Sequence, residues 1–233
     1  MERDGIPHKG KFKMNGQDIT LNVNGQPSAG YLALPAQPDA PGVIVLHAWW
    51  GLNPFFKSLC NRLASEGFAA FAPDLNNGRV AKTIDEAKQI MSETDSDRKQ
   101  AIVAASPDYL RNRPGVRKEA FSVIGFSMGA AWSLVLASER PEDIRKIVMF
   151  YGAGEAEFAK VKADILGHFA EVDEWEDPKY IRSMQNDMQA AGLKPTFHFY
   201  PNTSHWFFED DRPEFDANAA DLAWSRTLEF LHM

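Results

Sequence analysis

The chain has 233 residues, of which 44% are hydrophobic and 24% are charged, values typical of a soluble globular protein. Its formal net charge of -7 argues against nucleic acid or an anionic membrane as the main partner, because both attract a basic surface. A single cysteine, Cys60, excludes an intrachain disulfide. No apolar run approaches the roughly 20 residues of a membrane-spanning helix, and the N-terminus lacks a signal-peptide pattern. We therefore expect a cytoplasmic protein with one domain over residues 1–233.

The chain begins with short alternating patterns that are separated by turn signals. Asn15-Gly16 and Asn24-Gly25 are dipeptides typical of tight hairpins. We therefore predict antiparallel strands at residues 11–14, 18–23 and 29–34.

After residue 41, short apolar runs alternate with longer helical patterns. Continuous apolar runs are typical of strands that are buried on both faces, as in a parallel sheet. Strands are predicted at residues 43–46, 69–72, 121–124, 146–151, 164–169 and 196–200. Helices are predicted at residues 54–66, 84–92, 96–111, 128–138, 178–191 and 213–231. This alternation predicts an α/β fold, with a mostly parallel central sheet and helices on both of its faces.

The segment after the strand at 121–124 has the G-x-S-x-G pattern of a nucleophile elbow. It reads Gly125-Phe126-Ser127-Met128-Gly129 and leads directly into a helix of small apolar residues. On such a turn the serine Oγ is exposed above the sheet, and side chains at the two glycine positions would collide with neighbouring chain. The pattern predicts acyl transfer through a covalent intermediate on Ser127. A serine that only caps the following helix is the structural alternative.

Two further polar segments follow late strands, at the sheet edge where ligands bind to folds of this kind. An acidic segment at residues 170–174 follows one strand, and His205 follows the next. The chain order of serine, acid and histidine is the order found in α/β-hydrolases. We assign His205 as the general base and Asp173 as the carboxylate that orients it, with Glu171 and Glu174 as alternatives.

Other residues near the predicted strand ends receive different roles. The N–H of Met128 and the N–H of Trp49 are the predicted donors of an oxyanion hole. His47 has no second ligand at metal-binding spacing, so no metal site is predicted. Cys60 lies on the apolar side of a predicted helix and His168 lies within a strand, so both are expected to be packing residues.

The chain resembles the dienelactone hydrolase family of α/β-hydrolases over nearly all of residues 17–232. The resemblance rests on residues 47–53, on residues 72–75 with 78–81 behind them, on the elbow, on Asp173 and on Ser204-His205. It implies a compact cytoplasmic hydrolase with no large cap domain and no cofactor.

Three positions depart from the family pattern. The founding members have a cysteine where this chain has Ser127, and a glutamate that helps to ionise the thiol where this chain has Ala48. They also bind a substrate carboxylate with two arginines, of which Arg79 matches one, whereas the other position is Glu209. An acid there disfavours an anionic substrate by like-charge repulsion. The expected substrates are therefore small, neutral esters or lactones.

Many aromatic residues lie in the segments that form the predicted site. The candidates for the substrate pocket are Trp50, Phe126, Arg79, Trp175, Trp206 and Glu209. An apolar pocket with few polar groups suits a moderately apolar substrate. Packing of these rings against the sheet edge is the alternative.

Two other functions remain open from the sequence. A non-catalytic ligand-binding protein can use the same fold, although it has no need of an intact Ser127, His205 and Asp173. A small peptidase or acyl hydrolase is the second alternative, but such enzymes commonly add a large domain that 233 residues leave no room for. The sequence does not decide between a monomer and a homodimer.

Overall fold

The computed structural model of the protein describes residues 16–233, so the strand predicted at residues 11–14 lies outside the described part. The described strands are β1 Gln17–Val23, β2 Gln26–Ala33, β3 Gly42–Leu46, β4 Ala69–Pro73, β5 Phe121–Phe126, β6 Ile144–Phe150, β7 Asp164–Ala170 and β8 Thr196–Tyr200. The α-helices are α1 Pro54–Ser65, α2 Ile84–Glu93, α3 Ser96–Arg111, α4 Met128–Glu139, α5 Pro178–Ala190 and α6 Ala217–His232. Within residues 16–233 no helix is both long and apolar enough to cross a membrane.

The strands form one sheet in the order β1-β2-β4-β3-β5-β6-β7-β8. β2 runs antiparallel to β1 and to β4, and the neighbouring pairs from β4 to β8 are all parallel. The predicted α/β fold with antiparallel N-terminal strands is therefore confirmed. Because β3 and β5 to β8 are parallel, their carboxyl ends meet at one edge of the sheet. The segments after these strands, which hold the predicted site residues, lie along that edge.

Helices cover both faces of the sheet because the central strands are apolar on both sides. Val43 and Val45 of β3 share one core with residues of α1 and α6, whereas Ile44 and Leu46 share the other with α3 and α4. This alternation follows the two-residue period of a strand. Cys60 is fully buried in the first core, and burial raises the pKa of its thiol, as expected for a packing residue.

The last helix begins later than its sequence pattern indicated. α6 starts at Ala217 rather than at residue 213, because the Asp216 side chain caps it by accepting a hydrogen bond from the Ala219 N–H at 2.9 Å. The residues before the cap form turns, such as the one closed by the Arg212 N–H and the Glu209 carbonyl oxygen at 3.0 Å. They extend the loop that carries the candidate histidine.

His168 is a packing residue inside β7, as predicted. Its Nδ1 is 2.8 Å from the Tyr200 hydroxyl, and its Nε2 is 3.1 Å from the Thr227 hydroxyl. Burial holds the pKa of His168 well below its usual value. The ring therefore joins β7, β8 and α6 as a neutral group.

Candidate active site

Ser127 has a left-handed backbone conformation between β5 and α4. Its φ is 50° and its ψ is -115°, a combination that residues other than glycine rarely adopt. The Ser127 side chain makes no capping hydrogen bond to α4. The alternative of a serine that only caps the helix is therefore not supported, and the hydroxyl is left for another partner.

Gly125 and Gly129 allow the backbone to close this turn. A Cβ on Gly129 would lie 2.1 Å from the carbonyl oxygen of Leu46, and one on Gly125 would lie 2.3 Å from the carbonyl oxygen of Gly129. Both distances are far shorter than van der Waals contact, and both neighbours are backbone atoms that cannot rotate away. Because no side chain fits at either position, the turn requires both glycines of the pattern.

His205 reaches Ser127 from the loop after β8. Its Nε2 is 2.9 Å from the Ser127 Oγ, and its Nδ1 is 2.8 Å from Oδ2 and 3.0 Å from Oδ1 of Asp173. The His205 side chain is almost fully buried. A hydrogen on Nδ1 that is donated to the carboxylate leaves Nε2 free to accept the serine proton.

Asp173 is held in place by the turn that follows β7. Its Oδ1 accepts hydrogen bonds from the Trp175 N–H at 2.8 Å and from the Glu176 N–H at 2.9 Å. These two backbone donors fix the carboxylate opposite the imidazole of His205. The arrangement is an Asx turn, in which the aspartate side chain bonds to the backbone two and three residues on.

The two alternative acids have other environments. Glu171 accepts a hydrogen bond from the Asn202 N–H at 3.1 Å, and Glu174 is exposed. Among the acids of residues 16–233, Asp173 is the one whose carboxylate contacts His205. The structure therefore brings together Ser127, His205 and Asp173, which we call the candidate triad.

The loop after β3 is anchored by the loop after β4. The Ala81 N–H donates to the Trp50 carbonyl oxygen at 2.9 Å, and the buried Asn76 donates from Nδ2 to the Trp49 carbonyl oxygen at 3.0 Å. The Trp49 N–H itself makes no hydrogen bond within residues 16–233. Met128 is the first residue of α4, so its N–H has no acceptor inside the helix. Both predicted oxyanion donors are therefore available to a ligand.

His47 stabilises the same loop as a neutral imidazole. Its Nε2 accepts a hydrogen bond from the Leu75 N–H at 3.0 Å, and its Nδ1 lies 2.7 Å from the Ala48 carbonyl oxygen, to which it can donate. Burial lowers the pKa of His47 below its ordinary value. Within the described residues, no cluster of three histidine, cysteine, aspartate or glutamate side chains could hold a metal ion.

Four tryptophans pack together beside the candidate triad. This tryptophan cluster consists of Trp49, Trp50, Trp175 and Trp206, and its neighbouring ring centroids are 5.0 to 6.1 Å apart. Trp206 also meets the His205 ring edge to face at 4.9 Å. Trp175 is 41% exposed and Trp49 is half-buried, so these two rings can contact a ligand.

Two of the predicted pocket residues are packing residues instead. Phe126 is fully buried and stacks on Phe150 with ring centroids 4.6 Å apart. Trp50 is also buried, and the Arg212 guanidinium covers its ring at 4.0 Å from the centroid. The apolar sequence that suggested a pocket wall here reflects an aromatic core beneath the site.

The two charged candidates for the pocket are engaged elsewhere. Arg79 forms an ion pair with Glu93 of α2. Glu209 is fully buried, its Oε1 accepts a hydrogen bond from the Tyr151 hydroxyl at 2.9 Å, and burial raises its pKa to about 8. We expected the Glu209 carboxylate to face the substrate and to repel anions, and the structure corrects this. The group is buried inside the protein, and at neutral pH it is mostly a neutral acid.

Three residues near the candidate triad were missed from the sequence. They are Asn76, Tyr151 and Glu176. Asn76 follows β4 and Tyr151 follows β6, so position after a strand is the signal that could have found them. Glu176 accepts a hydrogen bond from the Ala153 N–H at 3.3 Å, and burial, with the charge of Asp173, raises its pKa to about 7.

Three surface cavities lie away from the candidate triad, whose residues line none of them. A cavity of about 660 Å³ lies between β1 and α3. Two others, of about 610 Å³ and 310 Å³, are lined by residues 34–41 with 64–67 and by residues around Lys57 and Asp74. Ser127 is half-buried, and it is linked to the tryptophan cluster through His205, whose ring contacts Trp206.

The sequence matches the model of the dienelactone hydrolase family over residues 28–233. A relative from Aquifex pyrophilus, named "Protein usf", is 32% identical and is matched over 92% of this chain and 97% of its own length. A "Probable 2-oxo-3-(5-oxofuran-2-ylidene)propanoate lactonase" from Bradyrhizobium sp is 30% identical, over 91% of this chain and 92% of its own length.

Solved structures share the fold. The crystal structure of a "Putative Dienelactone Hydrolase" from Klebsiella pneumoniae has a TM-score of 0.83 at 23% identity, and the match covers 94% of this chain and 98% of that chain. This similarity shows the α/β-hydrolase fold. Together with the family model, which matches most of the sequence, it leads to one conclusion: the chain belongs to the dienelactone hydrolase family.

Proposed function

We propose that the protein is a serine hydrolase that cleaves carboxylic ester or lactone bonds of small, neutral molecules. The observation that carries the proposal is the line of hydrogen bonds from Ser127 through His205 to Asp173. The relatives support a lactone or ester bond as the target, since one is named a "Probable 2-oxo-3-(5-oxofuran-2-ylidene)propanoate lactonase" and another a "Putative carboxymethylenebutenolidase".

The reaction would proceed in two halves. His205 Nε2 takes the hydroxyl proton of Ser127 while the Oγ attacks the substrate carbonyl carbon. His205 then gives that proton to the leaving oxygen, the ester C–O bond breaks, and an acyl-enzyme remains. Water attacks the acyl-enzyme with His205 again as the base, which releases the carboxylic acid and restores Ser127. Asp173 keeps the proton on Nδ1 and stabilises the imidazolium in both halves.

The negative oxygen of each tetrahedral intermediate would be bound by backbone N–H groups. One donor is Trp49, whose backbone is anchored by Asn76, and the other is Met128, at the N-terminus of α4. The helix dipole adds a favourable potential at that terminus. Donors that are fixed before the reaction stabilise the transition state without reorganising.

A neutral substrate fits the charges around the site. Arg79 is paired with Glu93, Arg212 is paired with Asp211, and position 209 holds a buried acid. A substrate carboxylate would lose its hydration without gaining an unpaired cation from these positions, and that loss costs binding free energy.

Ester hydrolysis by wild type and by Ser127→Ala tests the proposal. With p-nitrophenyl butyrate, we expect kcat/KM to fall by about 10³-fold or more in Ser127→Ala while the thermal unfolding curve stays the same. Ser204→Ala is the matched control, because it removes a half-buried hydroxyl next to His205 that has no assigned role. Turnover near the wild-type level in Ser127→Ala would place the nucleophile elsewhere. A folded wild type without turnover would favour the ligand-binding alternative.

A further inference from the structure

Glu209 and Tyr151 connect the loop after β8 back to His205 through a closed series of contacts. The loop turns at Trp206, whose carbonyl oxygen accepts a hydrogen bond from the Glu209 N–H at 2.9 Å. The Glu209 Oε1 then accepts the hydrogen bond of the Tyr151 hydroxyl at 2.9 Å. The Tyr151 ring returns to the imidazole of His205, with ring centroids 5.0 Å apart. Glu209, which belongs to the same loop as His205, therefore contacts the histidine indirectly, through Tyr151 at the end of β6.

Tyr151 is fixed against the elbow by its backbone. Its φ is 35°, in the left-handed region, and its N–H donates to the His168 carbonyl oxygen at 2.8 Å. The next residue, Gly152, passes so close to the elbow that a Cβ there would lie 2.3 Å from the Ser127 carbonyl oxygen. Trp206, whose ring also contacts the imidazole, is left-handed as well, with a φ of 66°. Strained residues persist where the surrounding contacts over-determine them, and they concentrate at functional sites.

The Glu209 carboxyl has no role in the reaction as described above, yet it is fully buried. Its Oε2 has no hydrogen-bond partner within residues 16–233. Burial is the largest cause of its raised pKa of about 8, so the carboxyl is mostly protonated at neutral pH. The charged groups that face Glu209 and Tyr151 are Asp211, Arg212 and Glu214 of the same loop and Asp173 after β7.

We propose that Glu209 and Tyr151 are positioning residues for His205: the buried acid fixes the phenol, and the phenol fixes the imidazole between Ser127 and Asp173. The inference rests on the proposed function, since it takes His205 as the general base. A neutral Glu209 holds the ring in place without adding a charge. Ionised, Glu209 becomes a buried charge whose Oε2 has no hydrogen-bond partner within residues 16–233, and hydrating that charge requires the loop to move and to release Tyr151 and His205 from their positions.

Three variants separate positioning from packing. Glu209→Gln keeps the shape and an acceptor for the Tyr151 hydroxyl but cannot ionise. Glu209→Leu removes the acceptor, and Tyr151→Phe removes the donor but keeps the ring. With p-nitrophenyl butyrate near pH 7, we expect Glu209→Leu and Tyr151→Phe to lower kcat about tenfold or more with little change in KM. Glu209→Gln should restore kcat to within about threefold of wild type.

The pH profile supplies a readout that a purely structural role would not move. The wild-type kcat/KM should decline above pH of about 8, where Glu209 ionises, and the Glu209→Gln profile should stay level there. Asp210→Asn, which neutralises the adjacent acid of the loop, is the matched control and should keep the decline. Identical alkaline limbs in wild type and Glu209→Gln, or full kcat in Tyr151→Phe, would overturn the proposal.

NMR titration of the His205 imidazole C–H decides the matter independently of turnover. The signal is assigned by its loss in His205→Asn. We expect an inflection near pH 8 in wild type, from Glu209, and its absence in Glu209→Gln. The same titration curve in both proteins would overturn the coupling. If wild type hydrolyses no ester, the proposed function fails, and the titration still tests whether Glu209 and His205 are linked.

Discussion

Ser127 and Asp173 differ in how readily a sequence reveals them. The elbow is a local pattern of five consecutive residues, and its two glycines are required by backbone atoms only 2.1 and 2.3 Å from the positions of their absent side chains. The acid is one of three in a short segment, and its selection depends on a turn. The N–H groups of Trp175 and Glu176 hold Asp173 in front of His205, and no spacing rule distinguishes that turn from its neighbours.

The choice of acid leads to a ranking of two isosteric substitutions. Asp173→Asn keeps the shape but removes the charge that stabilises the imidazolium, so kcat should fall by about 10³- to 10⁴-fold. Glu171→Gln changes an acid two residues away that bonds to the Asn202 N–H, and kcat should stay within about twofold of wild type. Steady-state kinetics with p-nitrophenyl butyrate measures both. A larger loss in Glu171→Gln than in Asp173→Asn would contradict the assignment.

Strands and helices were predictable because the apolar runs of β3 to β8 are continuous and the helices between them have clear ends. The exception is α6, where Asp216 provides the cap and the preceding residues, which also fit a helical pattern, form turns. Glu209 lies in the loop before these turns, where it is buried against Tyr151. The sequence shows the acid but not its burial, which is why its expected effect on substrate charge needed correction. The same holds for Phe126 and Trp50, whose apolar character does not tell a pocket from a core.

The junction of β5 and α4 is expected to be intolerant of a single methyl group. In Gly129→Ala, the new Cβ would overlap the Leu46 carbonyl oxygen, which lies only 2.1 Å away, and the free energy of unfolding should fall by about 2 to 4 kcal/mol. Gly192→Ala is the comparison, because Gly192 has a φ of 91° but open space around it. Backbone strain alone should cost about 1 kcal/mol there. Urea unfolding measures both, and equal losses would show that crowding at the elbow is not the cause.

At the scale of the whole molecule, the parallel strands bring residues distant in sequence to one edge of the sheet. Ser127 after β5, Asp173 after β7 and His205 after β8 are joined by hydrogen bonds of 2.8 to 3.0 Å. The same edge also buries acids that the reaction does not use. Glu176 and Glu209 have pKa values raised to about 7 and about 8, mainly by burial.

The raised pKa values of Glu176 and Glu209 predict how the free energy of unfolding depends on pH. In the unfolded chain both titrate near the ordinary value of 4.5, so between that value and about pH 8 the folded protein binds more protons than the unfolded chain. Their contribution to the free energy of unfolding is therefore fully present below that window and is lost as pH rises through it.

Urea unfolding at about pH 5, 7 and 9 measures this contribution. The free energy of unfolding of the double variant Glu176→Gln/Glu209→Gln should fall less than that of wild type over this range, because neither amide ionises. Glu174→Gln, at an exposed position, is the control and should follow wild type. The same dependence in wild type and in the double variant would show that these acids do not carry the effect.

Covalent labelling of the nucleophile tests the proposed hydrolase most directly. After reaction with a fluorophosphonate probe and digestion with trypsin, tandem mass spectrometry locates the adduct within the peptide of residues 119–145, which contains Ser127. We predict one adduct, on Ser127, in wild type, and none in Ser127→Ala. Labelling of a different serine, equal labelling of Ser127→Ala, or no labelling of the folded wild type would contradict the proposed serine mechanism.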